Sequence, residues 1–513
     1  MALVIVNKAR ERPNEVALCD SRFSLTWPEL NDALNRVANG LNALELGEQR
    51  RVAVFAENSV ETLLAHLGGL LAGASTVPVN FHLNAAELEY ILTDSRATVL
   101  FVGPENLERG IAAANAAGVA TIIGWRCEPH PNVIPWSEWM ARSSAAEPSS
   151  NVRPLPNLMY TSGTTGQPKG VDLPPTMFAG GNSIEEHFVG LRANRFTKFA
   201  THLVVGPMYH TGPLNGFRIL AVGTPVAVLN KFDPEAVLAA IERYKAETSL
   251  MVPTHFKRLL DLPPEVKARY DLSSMQLVAH TGAACPIDIK RRMIEWFGPI
   301  FLDAYGATEV GTTCSITSNE WLEHPGSVGR ALPPFTALIV DDQGNPVPAG
   351  IEGNLYFEDA TGRGVVYPND PAKSAKAHLR PGVFTLGEIG YLDNAGYVYI
   401  TDRSSDMIVS GGVNVYPAEA EQVLLTHPLV GDVAVIGVPD ADMGEAVRAL
   451  VVPQDPANPP QADDLIALCR QELAGYKCPR SVEVVSTIGR NAMGKVNKRD
   501  LRAPYWEGSR TIG

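Results

Sequence analysis

Cysteine is scarce in this chain: six among 513 residues, at positions 19, 127, 285, 314, 469 and 478, with no Cys-x-x-Cys spacing. That pattern offers neither a zinc site nor a disulfide framework, and it fits a reducing compartment. Positive charge is also in deficit. With 43 Lys and Arg against 56 Asp and Glu, the net charge is −13, which argues against a general nucleic-acid surface. Long apolar runs are missing too. The longest, Leu63 to Ala74, contains His66 and falls short of the roughly 20 residues a membrane span needs, so it reads as a buried helix. The opening Met1–Val6 is too short for a secretory signal and meets Asn7, Lys8 and Arg10 at once. Internal repeats and low-complexity segments are absent. With 45% hydrophobic and 19% charged residues, the composition is that of a globular protein without a membrane span, expected to be cytoplasmic.

A chain this long holds about three or four domain-sized units, or a large domain and a smaller one. Arg51–Ala56 and Thr76–Asn80 read as strands around a helix at 60–73, and Ala97–Val102, Val226–Leu229 and Leu277–Ala279 continue the series. Alternation of this kind predicts an α/β fold with layered, largely parallel sheets. Residues 141–157 are turn-rich and read as a surface connection. From Gly390 the texture changes. Asp393–Gly396 is a hairpin turn between two strand-like segments, and a βαββα pattern follows, with Val433–Val438 and Val447–Val452 as strands. The expected division is a large N-terminal α/β domain, 1–401, and a small α+β C-terminal domain, 402–513, with the boundary at Asp402.

What is present is more telling than what is absent. The run Tyr160-Thr-Ser-Gly-Thr-Thr-Gly-Gln-Pro-Lys169-Gly170 follows the apolar Leu158-Met159, the end of a strand. Glycines bring bare N–H groups close to a ligand, and hydroxyls with one lysine complete an anion cradle suited to a polyphosphate. It is not the common NTPase loop, because Gly170 stands where that pattern needs Ser or Thr.

The run resembles the phosphate loop of the adenylate-forming superfamily, which contains acyl-CoA synthetases, luciferases and peptide-synthetase adenylation domains. Further motifs follow in family order from about residue 50 to residue 502. The resemblance implies that Thr161, Ser162, Gly163, Thr164, Thr165, Gly166 and Lys169 bind ATP phosphates, and that Gly282, Ala283 and Ala284 line the adenine slot. Asp303-Ala304-Tyr305-Gly306-Ala307-Thr308-Glu309 is similar to the family's Tyr-Gly-x-Thr-Glu element. There Tyr305 would pack on adenine, Thr308 would contact the α-phosphate and Glu309 would hold Mg²⁺, a cation that prefers hard oxygen ligands. Asp402 matches the hinge about which the small domain swivels, and Arg403 the arginine that contacts ribose. Gly411 and Gly412 match the turn lining the CoA tunnel, and Lys495 the catalytic lysine that stabilises charge during adenylation. His210 matches a residue beside the substrate carboxylate. Val205, His210, Leu214, Phe217, Gly282 and Gly306 are the expected acyl-pocket positions.

The chain departs from the family pattern at four places. Glu388 stands where an aspartate usually accepts both ribose hydroxyls, and misaligning two hydrogen bonds there would cost roughly 1–3 kcal/mol. Gln167 and Ser404 thin positive charge around the triphosphate, and Met493 removes a hydroxyl. The expected activity is that of an AMP-forming acyl-CoA ligase using ATP, Mg²⁺ and CoA on a bulky hydrophobic, fatty or steroid-like carboxylic acid. The segments expected to wall the acyl pocket (204–207, 214–217 and 252–256) are mainly apolar. Three alternatives stand beside it: a ligase competent only from a supplied acyl-adenylate, an enzyme loading a carrier protein, and a non-catalytic acyl-adenylate-binding module. A homodimer is compatible with all of them.

Overall fold

The computed structural model describes residues 3–161, 168–192, 198–282, 285, 287–341, 343–367, 371–403, 407–489, 496 and 498–506. Near the N-terminus a five-stranded parallel sheet runs in the order Ser75–Pro78, Arg51–Phe55, Val99–Val102, Thr121–Gly124, Ile134–Pro135. Its strands read as unbroken apolar runs because both faces are covered: Val52, Ala53, Phe55, Leu100 and Phe101 are all fully buried. The helix Val60–Leu71 begins where Ser59 accepts a hydrogen bond from the Thr62 amide at 3.1 Å, which satisfies one of the free N–H groups of its first turn. Every residue of that helix is buried, as its all-round apolar sequence requires.

The second sheet is larger and changes character along its width. Strands His202–Val204, Thr248–Met251, Leu277–His280 and Phe301–Ala307 lie side by side and parallel. Gly311–Thr317 then turns back antiparallel against Phe301–Ala307, and every strand pairing from there to Val398–Arg403 is antiparallel. The expectation of largely parallel sheets therefore holds up to residue 307 and fails beyond it. The connections explain the change: turns such as Thr308–Val310 and Asp393–Gly396 are too short for the crossover that parallel neighbours need.

Val398–Arg403 is the last strand of this sheet. A separate five-stranded sheet is built from Ile408–Ser410, Val413–Val415, Val430–Asp440, Gly444–Pro453 and Ser481–Val484. It has its own core, including Ile408, Leu424, Val435, Val447, Ala449 and Leu465, all buried. Lys477 ties this part to the N-terminal part. Its buried ammonium lies 2.6 Å from Glu419 and 2.8 Å from Glu87, while Asn80 donates to the Tyr476 hydroxyl at 3.0 Å and Asn84 to the Glu472 carbonyl at 2.8 Å.

Five histidines are buried in the fold: His66, His187, His202, His255 and His280. Burial disfavours the imidazolium and pushes His66, His202 and His255 down to about 3, and His187 and His280 to about 4. The unfolded chain takes up these protons near pH 6.5 and the native chain does not, so stability is retained above that pH and lost as pH falls. At pH 5.5 each fully buried imidazole would account for about 1.4 kcal/mol of lost stability. The denaturation midpoint is expected to fall steadily between pH 7.5 and 5.5; a flat profile would contradict neutral burial.

Candidate active site

The four parallel strands all point their carboxyl ends at one place, and the segments that follow them enclose a cavity of about 1310 Å³. Gly206 to Gly212 follows the first strand, Val252 to His255 the second, Thr281 and Gly282 the third, and Thr308 and Glu309 the fourth; most of these residues line the wall. Open α/β sheets bind ligands at such strand ends.

Thr308 and Glu309 occupy the tip of the hairpin formed by Phe301–Ala307 and Gly311–Thr317. Gly306 is needed there, because a Cβ would run into the Gly311 carbonyl across the hairpin. The close approach accompanies a register shift between Tyr305 and Gly306 that bends the tip. Thr308 and Thr211 face each other with 3.2 Å between their hydroxyl oxygens. Glu309 is fixed on two sides: Tyr367 donates to its Oε1 at 3.2 Å, and Arg363 donates to its main-chain carbonyl at 3.1 Å.

No cluster of three or more His, Cys, Asp or Glu side chains suited to a metal occurs among the described residues. One cavity-facing carboxylate, Glu309, fits Mg²⁺ that arrives on a polyphosphate, since that ion typically uses one or two carboxylates with phosphate and water oxygens. Asp303 lines the same wall with Oδ2 held by Lys290 Nζ at 2.9 Å. Ala304 and Tyr305 line it beside Asp303, and buried Glu388 borders it from a more distant strand of the same sheet, opposite Arg403 in register.

His210 directly precedes the helix Thr211–Ala221, without a side-chain capping bond, and borders the cavity. Burial pushes its imidazole down to about 4, so it is neutral at pH 7. The ring is half-buried at the open cavity wall, so that depression applies most fully when a ligand closes the space. Gly411 and Gly412 form a two-residue hairpin turn with φ of +61° and +79°, the left-handed pair such turns require. Both line the cavity, and a Cβ on Gly412 would press within 3.2 Å of Val252.

Thr161 and Lys169 pair at the end of an antiparallel two-stranded ladder, and the flanking Tyr160 and Pro168 line the cavity. Ser162, Gly163, Thr164, Thr165, Gly166 and Gln167 lie outside the described residues, as do Ala283, Ala284, Ser404, Met493 and Lys495. Of the expected acyl-pocket positions, His210, Gly282 and Gly306 border the cavity. Val205, Leu214 and Phe217 do not: they are 0–2% exposed and packed into the hydrophobic core. For Leu214 and Phe217 helical periodicity is the reason. On Thr211–Ala221, positions 214, 217 and 221 turn inward, while Thr211, Asn215 and Arg218 share the face toward the cavity.

Sequence reading missed Arg218, Lys373, Lys376, Tyr476 and Lys477, all of which line the cavity. An arginine inside an otherwise apolar helix, seven residues after Thr211, was the available signal for Arg218. The lysines lie outside the family motifs and carried no local signal.

Residues 5–364 match the family described as AMP-binding enzyme, and residues 419–495 match the AMP-binding enzyme C-terminal domain. The chain is 34% identical over 510 residues to a feruloyl-CoA synthase from Amycolatopsis sp, covering 98% of each. It is 34% identical over 516 residues to a methyl-dioxo-octahydro-indenyl-propanoyl:CoA ligase from Rhodococcus jostii, covering 96% of each. Among solved structures, the amide bond synthetase McbA from Marinactinospora thermotolerans is similar with a TM-score of 0.82 at 27% identity, over 98% of this chain and 99% of that one.

The inward placement of Leu214 gives a direct check. Leu214→Ala is expected to cost about 2–5 kcal/mol of stability, as large-to-small core changes do. Urea denaturation reads the change, and an unaltered midpoint would return Leu214 to the cavity wall.

Proposed function

The chain belongs to the AMP-binding enzyme family, and from that premise we propose that it is an acid–thiol ligase: an AMP-forming acyl-CoA ligase acting on a bulky, largely apolar carboxylic acid. The observation that carries the reading is the meeting of two turns on one cavity, Thr308–Glu309 from the large sheet and Gly411–Gly412 from the C-terminal sheet. The first suits charge at a reacting phosphate; the second leaves room for a thin thioester arm to pass close to backbone. The relatives named as CoA ligases of ring-bearing acids support the substrate class. So does the apolar wall that includes Met177, Phe178, Leu191 and Leu250.

In the first half-reaction the carboxylate attacks the α-phosphorus of ATP and pyrophosphate leaves. The Thr308 hydroxyl and the Lys495 ammonium, carried in by the C-terminal domain, stabilise the charge that develops. His210, neutral, orients the carboxylate. Glu309 would hold Mg²⁺, whose positive charge offsets that of the phosphates when bound. In the second half-reaction the C-terminal domain turns about Asp402 and withdraws Lys495. The CoA thiolate then attacks the acyl-adenylate carbonyl along the Gly411–Gly412 turn and AMP departs. The presence of that turn at the cavity wall is what the thioester half requires.

Two assays divide the cycle. Pyrophosphate release from ATP with candidate acids reads the first step, and CoA consumption from synthetic acyl-adenylate reads the second. Lys495→Ala should slow the first about 10²–10³-fold, the range for losing one preorganised charge-stabilising group, and leave the second nearly unchanged. Glu388→Asp should tighten apparent ATP affinity about tenfold or more. Thioester formation from acyl-adenylate without any pyrophosphate release would replace the full ligase with an adenylate-dependent transferase. The likeness to McbA makes an amine the other acceptor to assay beside CoA and a carrier-protein thiol. Product with an amine or a carrier but none with CoA would overturn the acyl-CoA assignment.

A further inference from the structure

Arg218 is a cation in an unusual position. It is 3% exposed and lines the cavity. No carboxylate pairs with it among the described residues. Its Nη2 donates to Asn157 Oδ1 at 2.7 Å, and its Nε is buried with no hydrogen-bond partner. His66 and His187, whose pKa values its charge helps to lower, are neutral imidazoles and offer no counter-charge. Burial lowers its own pKa only to about 10, so it is still a guanidinium at neutral pH. A buried charge without a counter-charge is costly to keep. The folded protein retains this one facing a ligand-sized space.

Its place along the helix gives the geometry. Thr211, at the start of the helix Thr211–Ala221, touches Thr308 beside the proposed reaction centre. Arg218 is seven residues on, two turns along the same face, about 10 Å farther from that centre at 1.5 Å of rise per residue. We propose that Arg218 sets substrate specificity by donating hydrogen bonds to an oxygen acceptor, a second carboxylate or a ketone, at the end of the acid remote from the reacting carboxylate. The substrate is then apolar along its length and polar at both ends. The planar guanidinium fork suits either group. Its role as substrate selector rests on the acyl-ligase reading; its role as an acceptor-binding group in the cavity does not.

Calorimetric binding to the full-length protein, without ATP or CoA, tests the inference with three straight-chain acids of equal length ending in methyl, methyl ketone or carboxylate. The ketone or the carboxylate should bind about ten- to a hundredfold more tightly than the methyl acid, the range for a buried charge-assisted hydrogen bond. Which of the two binds best identifies the group. Arg218→Met should erase that preference while leaving the methyl acid within a few-fold. Equal or preferential binding of the methyl acid by the unaltered protein would overturn the proposal, whatever the variant does. An equal loss for all three acids in Arg218→Met would also overturn it, since that is what a purely structural arginine bonded to Asn157 would give. If the binding order holds but no acid yields an adenylate or a thioester, the ligase reading fails and the recognition role of Arg218 stands.

Discussion

The site exists because four parallel strands end at one edge of the large sheet. Parallel neighbours must all deliver their carboxyl ends to the same side, so whatever follows each strand is gathered there without further contacts. The fourth strand, Phe301–Ala307, is also the last parallel one. Its chain returns immediately instead of crossing over, which leaves Thr308 and Glu309 at a half-buried tip rather than at the start of a helix. The tight hairpin at Gly306 and the anchoring of Glu309 by Tyr367 and Arg363 follow from that reversal.

Much of this was legible from sequence where the signal was local. The apolar runs at 51–56, 97–102, 226–229 and 277–279 became strands with boundaries shifted by two residues at most, because a strand buried on both faces has little choice of residue. The glycine pair 411–412 announced a turn. Non-local pairing was less visible. Residues 327–331 join 398–403 across some seventy positions, and no short pattern specifies that partnership. The side chains of one helix were also misassigned. Leu214 and Phe217 belong to an apolar segment expected to wall the acyl pocket, yet their helical spacing puts them on the core face.

Electrostatics reconcile an acidic chain with anionic ligands. Net charge is −13, but the cavity wall sets Arg218, Lys373 and Lys376 beside Asp303, Glu309 and Glu388, so the local balance is far less negative than that of the whole chain. Charges brought close to a low-dielectric cleft act more strongly than those scattered over a solvated surface. The lysines at 373 and 376 belong to a short helix, Pro371–Lys376, outside the family motifs. The thinning of positive charge noted at Gln167 and Ser404 is therefore not the whole local inventory.

The cluster of Lys477 with Glu419 and Glu87 divides unevenly. Glu419 and Lys477 belong to the same C-terminal unit, whereas Glu87 also accepts the Asn84 amide at the start of its own helix, at 3.0 Å. Were the two units to part, the lysine would leave with one carboxylate and the other would stay with its amide. Only the Lys477–Glu87 pair would be lost, and Glu87 would meet water with its amide bond kept, so recoupling would need no rebuilding. A joint made in this way behaves as a latch rather than a weld.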